Sequence, residues 1–307
     1  MSVANLSEAR SSWASEACSG RLLESSNIVG GAVCVPDVPA RIAVLDPYFN
    51  MQMALYLDLP VVAAARSGPQ WPAGVTDLAT EDQLSSIVYL GQFQEPSLEE
   101  LLSAQPDLIL GDAYMHERLL ENLTRIAPTV LVDTADWETY FEVISEATNS
   151  SRQFEQSLAA YKERLAELQD QLNGEVTASF LRIVPGGFQV YLDGPSAYAP
   201  MAVLSDVGIG RPAAETTDGD TVFIRPTWEG VPLLDGDVLL YVFGGGHHVS
   251  QGSTLRSETV NHPLWAEIPA VADDQAHEVS PDHWTAFGGL HSAEAILDDI
   301  ERIFLGE

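Results

Sequence analysis

Short apolar runs alternate with segments of helical spacing along most of the chain. Four runs are apolar on both faces, as is typical of strands buried in a parallel sheet, and they cover residues 41–45, 61–65, 108–110 and 129–132. Segments with apolar residues three or four positions apart lie between them, at residues 48–57, 97–103 and 116–126. This alternation predicts βα units, and therefore an α/β domain with a mainly parallel sheet.

The longest helical pattern in the chain covers residues 151–172. Its apolar positions recur every three or four residues, and Asn173-Gly174 is a good helix stop. The alternation then resumes, with strand-like runs at residues 176–184, 189–192 and 238–243 and helical segments at residues 198–207 and 292–304. The second half of the chain therefore predicts another α/β domain.

The fold class predicted from this order is α/β, with two Rossmann-like lobes whose sheets are mainly parallel and which are joined by one long α-helix. The boundaries follow from the pattern. We predict an irregular N-terminal segment at residues 1–38, an N-terminal lobe at 39–148, a linker helix at 149–173 and a C-terminal lobe at 174–307. A rigid helix as the only connector predicts a cleft that closes little.

The chain is strongly acidic, with a formal net charge of −31 over 307 residues. Nucleic acid and anionic membrane surfaces would repel it, so neither is expected as a partner. Among its 14 basic residues, Lys162 is the only lysine. Arginine presents a planar, permanently charged fork that suits oxyanions in partly dry sites. An arginine within apolar, turn-rich sequence is therefore a candidate binding residue.

Two features bear on where the protein works. No run approaches the roughly 20 apolar residues that a membrane span needs, and the N-terminus has no basic region followed by an apolar segment, so we expect that an export signal has been removed. Cys18 and Cys34 are compatible with free thiols or with a disulfide, and the Gly-rich sequence between them favours the disulfide. A disulfide implies an oxidising compartment. The absence of histidine between the two cysteines argues against a metal site there.

Short segments along the chain occur in the order typical of one family. They include Pro96-Ser-Leu-Glu99, Val207-Gly-Ile-Gly-Arg-Pro212, Leu234-Asp-Gly-Asp-Val238 and His262-Pro-Leu-Trp265. Through them the chain, from Cys18 to its end, resembles the helix-linked (class III) periplasmic binding proteins, in the ferric-siderophore branch that also includes vitamin B12 binders. The loops at residues 68–74 and 244–249 depart from the family pattern.

The resemblance implies a substrate-binding protein and not an enzyme. Such a protein captures a ferric siderophore in the cleft between its lobes and delivers it to the membrane permease of an ABC importer. It needs no cofactor of its own, because the ferric iron is carried within the bound siderophore. The resemblance further implies a monomer in the periplasm or elsewhere outside the cytoplasm, with a lipid anchor on the full-length form as one option.

Three arginines are candidate contacts to the oxygens of an iron chelate. Arg182 lies within an apolar strand, at a position where the family often has a ligand-facing arginine. Arg66 follows the second predicted strand, and Arg225 lies in a loop of the second lobe. Ligands of open α/β sheets bind outside the carboxyl ends of the strands, so residues that follow strands are the expected contacts. Arg41 precedes a strand, at a position that the family uses structurally, and is not a candidate.

Aromatic side chains close to strand ends are the expected apolar wall of the site. The candidates are Tyr48, Trp71 and Tyr114 in the first lobe and Tyr198, Phe243 and Trp284 in the second. Trp284 matches a family position that faces the ligand, and its ring is expected to lie against the chelate. For each of the others, packing in the core is the alternative.

Two glutamates are candidate docking residues. In this family each lobe presents a glutamate that pairs with an arginine of the permease, and Glu99 and Glu229 match those positions. The alternative for either residue is a solvated glutamate near a helix start, where the helix dipole favours negative charge.

Other functions are compatible with parts of the sequence. A cobalamin or haem binder of the same fold would use His248 or His283 as an axial ligand. A metal-dependent enzyme would use His247 and His248 with His277, His283 or His291. A binding protein for free Zn²⁺ or Mn²⁺ would need histidines from both lobes, yet the first lobe has only His116. However, adjacent histidines on an extended chain point to opposite sides, and no HExxH motif, GxSxG elbow or P-loop occurs. We therefore predict no resident metal and no catalytic residue.

Overall fold

The structure, a computed structural model, describes residues 18–68, 70–172, 176–244 and 252–306. The chain forms two compact units. The first comprises the described residues up to Ala159 together with Gly288–His291, and the second comprises Ala160–Phe287 and the residues from Ser292 onward. The division falls inside the long helix predicted as a linker, so that helix contributes to both units. The short segment Gly288–His291, far along the chain, also belongs to the first unit.

A disulfide-linked hairpin opens the described part of the chain. Strands β1 (Arg21–Leu23) and β2 (Val33–Val35) pair antiparallel, and Cys18 is bonded to Cys34. The predicted disulfide is therefore confirmed. The prediction of an irregular segment up to residue 38 is wrong from β1 onward, because three-residue strands are too short to leave a recognisable alternation in the sequence.

Parallel strands form the sheet of the first unit. They are β3 (Ile42–Val44), β4 (Val61–Arg66), β5 (Val88–Gln92), β6 (Leu108–Asp112) and β7 (Thr129–Val132), in the order β5-β4-β3-β6-β7. The central strand β3 is fully buried, as a parallel sheet covered on both faces requires. All carboxyl ends lie at one edge of the sheet, which we call the carboxyl edge.

Helices cover this sheet at residues that mostly follow the predicted pattern. They are α1 (Phe49–Tyr56), α2 (Ala73–Thr76), α3 (Glu81–Ser85), α4 (Leu98–Ala104), α5 (Ala113–His116), α6 (Leu120–Leu123), α7 (Trp137–Ala147) and α8 (Ser151–Leu172), which is shared with the second unit. The single helix predicted at residues 116–126 is interrupted by a 3-10 turn at Glu117–Leu119. The buried ring of His116, with Nε2 2.8 Å from the Phe93 carbonyl oxygen, anchors the chain at that interruption.

The sheet of the second unit is mixed. Its strands are β8 (Ala178–Val184), β9 (Gly187–Tyr191), β10 (Phe223–Ile224), β11 (Val238–Phe243) and β12 (Ala276–Glu278), in the order β10-β9-β8-β11-β12. Strands β8, β11 and β12 are parallel, whereas β9 runs antiparallel to both of its neighbours. A tight turn through Gly186, whose φ of 84° suits glycine, reverses the chain between β8 and β9.

The remaining described helices pack on this second sheet or close the chain. They are α9 (Ala199–Asp206), α10 (Gly252–Val260), α11 (Pro269–Ala272), α12 (Pro281–Trp284) and α13 (Leu290–Ile300), which continues into a π-helical turn at Glu301–Leu305. The residues described contain no helix with both the length and the apolar character that a membrane crossing needs.

The side chain of Gln52 on α1 lies between two glycines of the first unit. It is fully buried. A Cβ atom added to Gly74 would lie 2.4 Å from its Oε1 atom, and one added to Gly288 would lie 2.1 Å from its Cδ atom. Both positions therefore need glycine, and Gly288 brings the segment Gly288–His291 close against α1.

We expect Gly288→Ala to lower the free energy of unfolding by about 1–3 kcal/mol, because the added methyl group overlaps a buried side chain that has little room to move. Urea denaturation followed by circular dichroism measures this. Gly187→Ala is the matched control, because a Cβ atom at Gly187 has nothing within 4 Å. Equal stability of the two variants would contradict the packing described for Gln52.

A buried carboxyl group holds the start of α1. Asp46 follows β3, is 7% exposed, and accepts a hydrogen bond of 3.0 Å from the backbone N–H of Asn50 through Oδ2. Burial is the main cause that raises the pKa of Asp46 to about 6; the nearby carboxylate of Asp112 acts in the same direction, and hydrogen bonds from backbone N–H groups act against both. The protonated form is therefore favoured in the folded protein over the unfolded chain.

Because the pKa of Asp46 is higher in the folded than in the unfolded state, its contribution to stability decreases as pH rises from 3.8 to about 6. We expect the free energy of unfolding of the wild type, relative to Asp46→Asn, to fall by roughly 3 kcal/mol across that window. Urea denaturation at several pH values measures the difference. Asp82→Asn, at an exposed position, is the control, and a pH-independent difference for Asp46→Asn would contradict the raised pKa.

Candidate ligand-binding site

Arg182 lies on the central strand of the second sheet, close to its carboxyl end. Its side chain is buried, with the residue 8% exposed. The Nε atom donates to the Gly244 carbonyl oxygen at 2.7 Å, and Nη1 donates to the Tyr191 hydroxyl at 3.2 Å and to Gln189 Oε1 at 3.4 Å. These three acceptors are neutral oxygens, and they orient the guanidinium. The arrangement holds the guanidinium near the carboxyl ends of the parallel strands β8 and β11, which we call the carboxyl edge of the second sheet, where it can attract an oxyanion.

Arg225 is at the same level of the second sheet as Arg182. Ile224 pairs with Val190, and Val190 pairs with Leu181, so the next residues along the parallel strands β10 and β8 are Arg225 and Arg182. With β9 between them, their backbones lie about 10 Å apart. Arg225 is exposed, and its guanidinium carbon lies 4.6 Å from the centre of the Phe223 ring. The register therefore brings two of the predicted arginines to one region.

Aromatic rings surround this part of the second unit. Tyr198 precedes α9, its ring centre lies 5.5 Å from that of Tyr191, and its hydroxyl accepts a hydrogen bond of 3.4 Å from the Phe287 N–H. Phe243 ends β11 and is 7% exposed, with the Arg256 guanidinium carbon 4.6 Å from its ring centre. Tyr198 and Phe243, both predicted as aromatic contacts, thus lie at the start of a helix and at the end of a strand, respectively. The Phe243 side chain is mostly buried.

Sequence reasoning missed Arg256, which lies on α10 and does not directly follow any of the predicted strands. The residue forms two hydrogen bonds to the carboxylate of Glu278, one of them 2.6 Å from Nη2 to Oε1. The hydrogen bond to Glu278 and that carboxylate's charge raise the pKa of Arg256. A guanidinium paired with a carboxylate in this way contributes little net positive charge to an anion site.

The structure contradicts the prediction that Trp284 faces the ligand. Its side chain is fully buried, and its indole stacks on Phe180 at 5.5 Å between ring centres. The Nε1 atom donates a hydrogen bond of 2.8 Å to Asp299 Oδ2 on α13. Both contacts lie within the second unit, so Trp284 ties α12 and α13 to the core of that unit.

At the carboxyl edge of the first unit, Arg66 is held by aromatic rings. It is the last residue of β4, and its guanidinium carbon lies 5.0 Å from the ring centre of Trp71 and 4.3 Å from that of Tyr89. The structure therefore joins two predicted residues, Arg66 and Trp71, with one that sequence reasoning missed. Tyr89 is 41% exposed on β5, a strand that the apolar pattern did not predict, so the sequence did not mark it as a residue near a strand end.

Two predicted tyrosines also follow strands of the first sheet. Tyr48 comes after β3, is half-buried, and meets the Phe93 ring edge-on at 6.0 Å between centres. Tyr114 comes after β6 and is 90% exposed. Exposure at the carboxyl edge makes Tyr114 available to a ligand, whereas Tyr48 is partly occupied by packing.

Acidic groups occupy the same edge of the first sheet. Asp112 ends β6 and caps α5 by accepting from the Met115 N–H at 3.0 Å. Burial raises the pKa of Asp112. Burial lowers the pKa of His116, while hydrogen bonds to the backbone at Phe93 and Asp112 raise it. Asp46 lies near Asp112. The charge of Asp112 raises the pKa of Asp46, and the charges of both carboxylates raise the pKa of Tyr140. Position directly after a buried strand was the sequence signal that could have identified these carboxyl groups.

The two predicted docking glutamates lie at the surface. Glu99 is exposed in the first turn of α4, which Ser97 caps by accepting from the Glu100 N–H at 3.3 Å. Glu229 is exposed in a 3-10 turn at Trp228–Leu233. A hydrogen bond of 2.6 Å from the Thr227 hydroxyl lowers the pKa of Glu229. Each unit thus presents one of the two carboxylates.

The histidines considered for a metal site are divided between different parts of the chain. His247 and His248 lie outside the described residues. His277 lies on β12 and His283 on α12, both in the second unit, whereas His291 belongs to the first unit. Burial lowers the pKa of His277, and the charge of Arg302 lowers it further.

Known proteins resemble this chain over most of its length. It is 26% identical over 314 residues to the probable siderophore-binding lipoprotein YfiY of Bacillus subtilis, which covers 99% of this chain and 94% of that protein. It is 28% identical over 247 residues to the achromobactin-binding periplasmic protein of Dickeya dadantii, and the matched region covers 76% of this chain and 79% of that protein. The crystal structure of Staphylococcus aureus SirA complexed with staphyloferrin B superimposes with a TM-score of 0.76 at 20% identity, and covers 93% of this chain and 98% of that one. The structural similarity confirms the predicted α/β fold class.

The sequence model of one family matches residues 57–281, under the description "Periplasmic binding protein". The match covers well over half of the chain and includes strands and helices of both units. It confirms the family resemblance that the short sequence segments indicated. The chain therefore belongs to the periplasmic binding protein family.

Proposed function

We propose that the protein binds a ferric siderophore outside the cytoplasm and delivers it to the permease of an ABC importer. The observation that carries the proposal is Arg182, a buried cation near the carboxyl edge of the second sheet that neutral oxygens hold in place. A ferric siderophore presents oxygen atoms that carry negative charge, and its iron is already saturated by those oxygens. It therefore needs cations and aromatic surface from the protein, and no metal ligands.

Further residues at the carboxyl edges support the same ligand. Arg225 adds a second cation at the level of Arg182, and Tyr198 adds an aromatic ring to the second unit. In the first unit, Arg66 and Trp71 combine a cation with an aromatic surface. Ligands of open α/β sheets bind at such edges, because loops and strand ends are the places where a buried sheet can present polar groups.

The relatives and the disulfide support transport outside the cytoplasm. The names of two relatives describe a siderophore-binding lipoprotein and an achromobactin-binding periplasmic protein. The Cys18–Cys34 disulfide is typical of oxidising compartments. Members of the family are substrate-binding proteins, and we propose that this chain, too, carries out no chemical step and acts as a monomer.

Titration of the wild type tests the ligand. We expect tryptophan fluorescence to respond to a ferric siderophore, for example ferric staphyloferrin B or ferric achromobactin, and not to the iron-free forms. Cobalamin, haemin and Zn²⁺ belong in the same panel, since a response to Zn²⁺ with none to any chelate would overturn the proposal.

Arg182→Gln should raise the Kd for the responding ferric chelate about tenfold to a hundredfold, because it removes a charged hydrogen-bond donor from the site. It should also lower the thermal midpoint, since Arg182 supports the Gly244 carbonyl, so binding is measured well below unfolding. Arg125→Gln removes an exposed arginine and is the charge control. An unchanged Kd for Arg182→Gln would exclude Arg182 from the site.

The double variant Glu99→Gln/Glu229→Gln should leave the Kd for the chelate within about twofold and reduce uptake by about tenfold or more, because it removes exposed carboxylates that pair with basic groups of the permease. Uptake of radioactive iron as the ferric chelate, into cells that contain the importer, measures this.

Glu100→Gln/Glu267→Gln is the matched control for docking. It makes the same change in charge, again at one exposed glutamate in each unit. Equal loss of uptake in both double variants would indicate an effect of overall charge and would contradict specific docking by Glu99 and Glu229.

A further inference from the structure

A pocket of 480 Å³ lies within the first unit, beside the sheet and not at its centre. Its lining is formed by Arg66, Trp71, Thr76, Ala79, Glu81, Leu84, Ser85 and Ile87. These residues run from the last position of β4 to the position before β5, so the pocket is built by the crossover between those two strands. The crossover includes part of the loop at residues 68–74 that departs from the family pattern.

The guanidinium of Arg66 lines this pocket beside two aromatic rings. The rings of Tyr89 and Trp71 lie 4.3 Å and 5.0 Å from the guanidinium carbon. Cation–π contacts of this kind restrict the positions that the guanidinium can take. A planar carboxylate is the group that matches the guanidinium fork, since it accepts two parallel hydrogen bonds.

The same pocket carries a negative charge and hydroxyl groups. Glu81 lines it from the first turn of α3, whose start is fixed by hydrogen bonds between Thr80 and Gln83 in both directions. The Ser85 hydroxyl donates to the Asp82 carbonyl oxygen at 2.9 Å, so its oxygen remains an acceptor toward the pocket. A ligand with a carboxylate alone would meet repulsion from Glu81. A ligand with a carboxylate and an ammonium group would satisfy both charges.

We infer that this pocket binds a zwitterionic α-amino-acid group, with its carboxylate on Arg66 and its ammonium on Glu81. The apolar side chains of Leu84, Ala79 and Ile87 and the Trp71 ring provide a surface for the aliphatic part of the ligand. The group can be a free amino acid or the end group of a siderophore arm, and the second source rests on the function proposed above. The pocket volume lies within the range of small-molecule sites.

Isothermal titration calorimetry with L-leucine tests the site without any iron chelate. We expect saturable binding of L-leucine, with N-acetyl-L-leucine and L-leucine amide at least about tenfold weaker, because each lacks one of the two charges. Arg66→Gln and Glu81→Gln should each weaken L-leucine binding by about tenfold or more. L-leucine should also change tryptophan emission in the wild type by a larger amount than in Trp71→Phe.

Two controls separate the pocket from general charge effects. Asp82→Asn removes an exposed carboxylate from the same helix turn as Glu81, and Arg125→Gln removes an exposed arginine elsewhere in the unit. Both should bind L-leucine as the wild type does. No binding of L-leucine by the wild type, or equal binding of L-leucine and its two blocked forms, would overturn the inference.

Competition between L-leucine and the ferric chelate distinguishes a free amino acid from a siderophore arm as the source of the amino-acid group. If an arm of the siderophore occupies the pocket, L-leucine raises the apparent Kd of the ferric chelate, and Arg66→Gln abolishes that competition. If the two ligands bind independently, the pocket is a site for a free amino acid. Failure of the proposed function would appear differently, as an absence of ferric chelate binding while L-leucine still binds.

Discussion

The central strands of both sheets are buried on both faces, and this burial decides where the protein can carry charge. In β3 every residue is fully buried and apolar. Transfer of a charge into such a layer costs several kcal/mol unless hydrogen bonds replace its water. Strand β8 contains the exception, since Arg182 is accommodated there by three oxygens from β9 and from the residue after β11. These hydrogen bonds hold the guanidinium of Arg182 in a defined position.

A second buried arginine of the same unit makes the contrast clear. Arg211 Nη2 lies 2.7 Å from Glu215 Oε2, and both side chains are almost completely buried. Burial lowers the pKa of Arg211 and raises that of Glu215, while each charge opposes the shift of the other. Such a pair is neutral as a unit and serves the packing of the domain. Arg182 differs in that oxygens of Gly244, Tyr191 and Gln189 accept hydrogen bonds from its guanidinium near the carboxyl edge of the second sheet.

Because the protein is strongly acidic overall, the binding of an anionic ligand depends on local cations such as Arg182. A net charge of −31 opposes the approach of an anionic chelate at long range. Salt screens that repulsion beyond about 8–10 Å, so contacts at close range decide binding. Arg182 and Arg225 in the second unit and Arg66 in the first are cations placed near strand ends, and the proposed function assigns the ligand contacts to them. The chain contains a single lysine, Lys162, and this keeps the number of other positive side chains that compete for an anionic ligand low.

Much of the fold could be predicted because buried parallel strands leave a direct trace in the sequence. Strands β7 and β11 and helix α8 have the predicted bounds, and the alternation that predicted two α/β lobes is present. The hairpin of β1 and β2 and the interrupted helix after β6 were not predictable, because segments of three or four residues are too short to show a recognisable repeat of apolar positions. Antiparallel β9 is set by a two-residue turn that the apolar pattern does not reveal.

The sequence by itself determined the fold class, the family and the list of arginines and aromatic residues near strand ends, and it favoured the Cys18–Cys34 disulfide that the structure contains. Tertiary structure alone decided which of them are available. Trp284 and Arg182 both read as ligand contacts, yet Asp299 and Phe180 enclose the indole, whereas oxygens at Gly244 and Tyr191 hold the guanidinium near the sheet edge. The physical reason is that exposure and hydrogen-bond partners come from residues far away in the chain, which periodicity and local spacing do not encode.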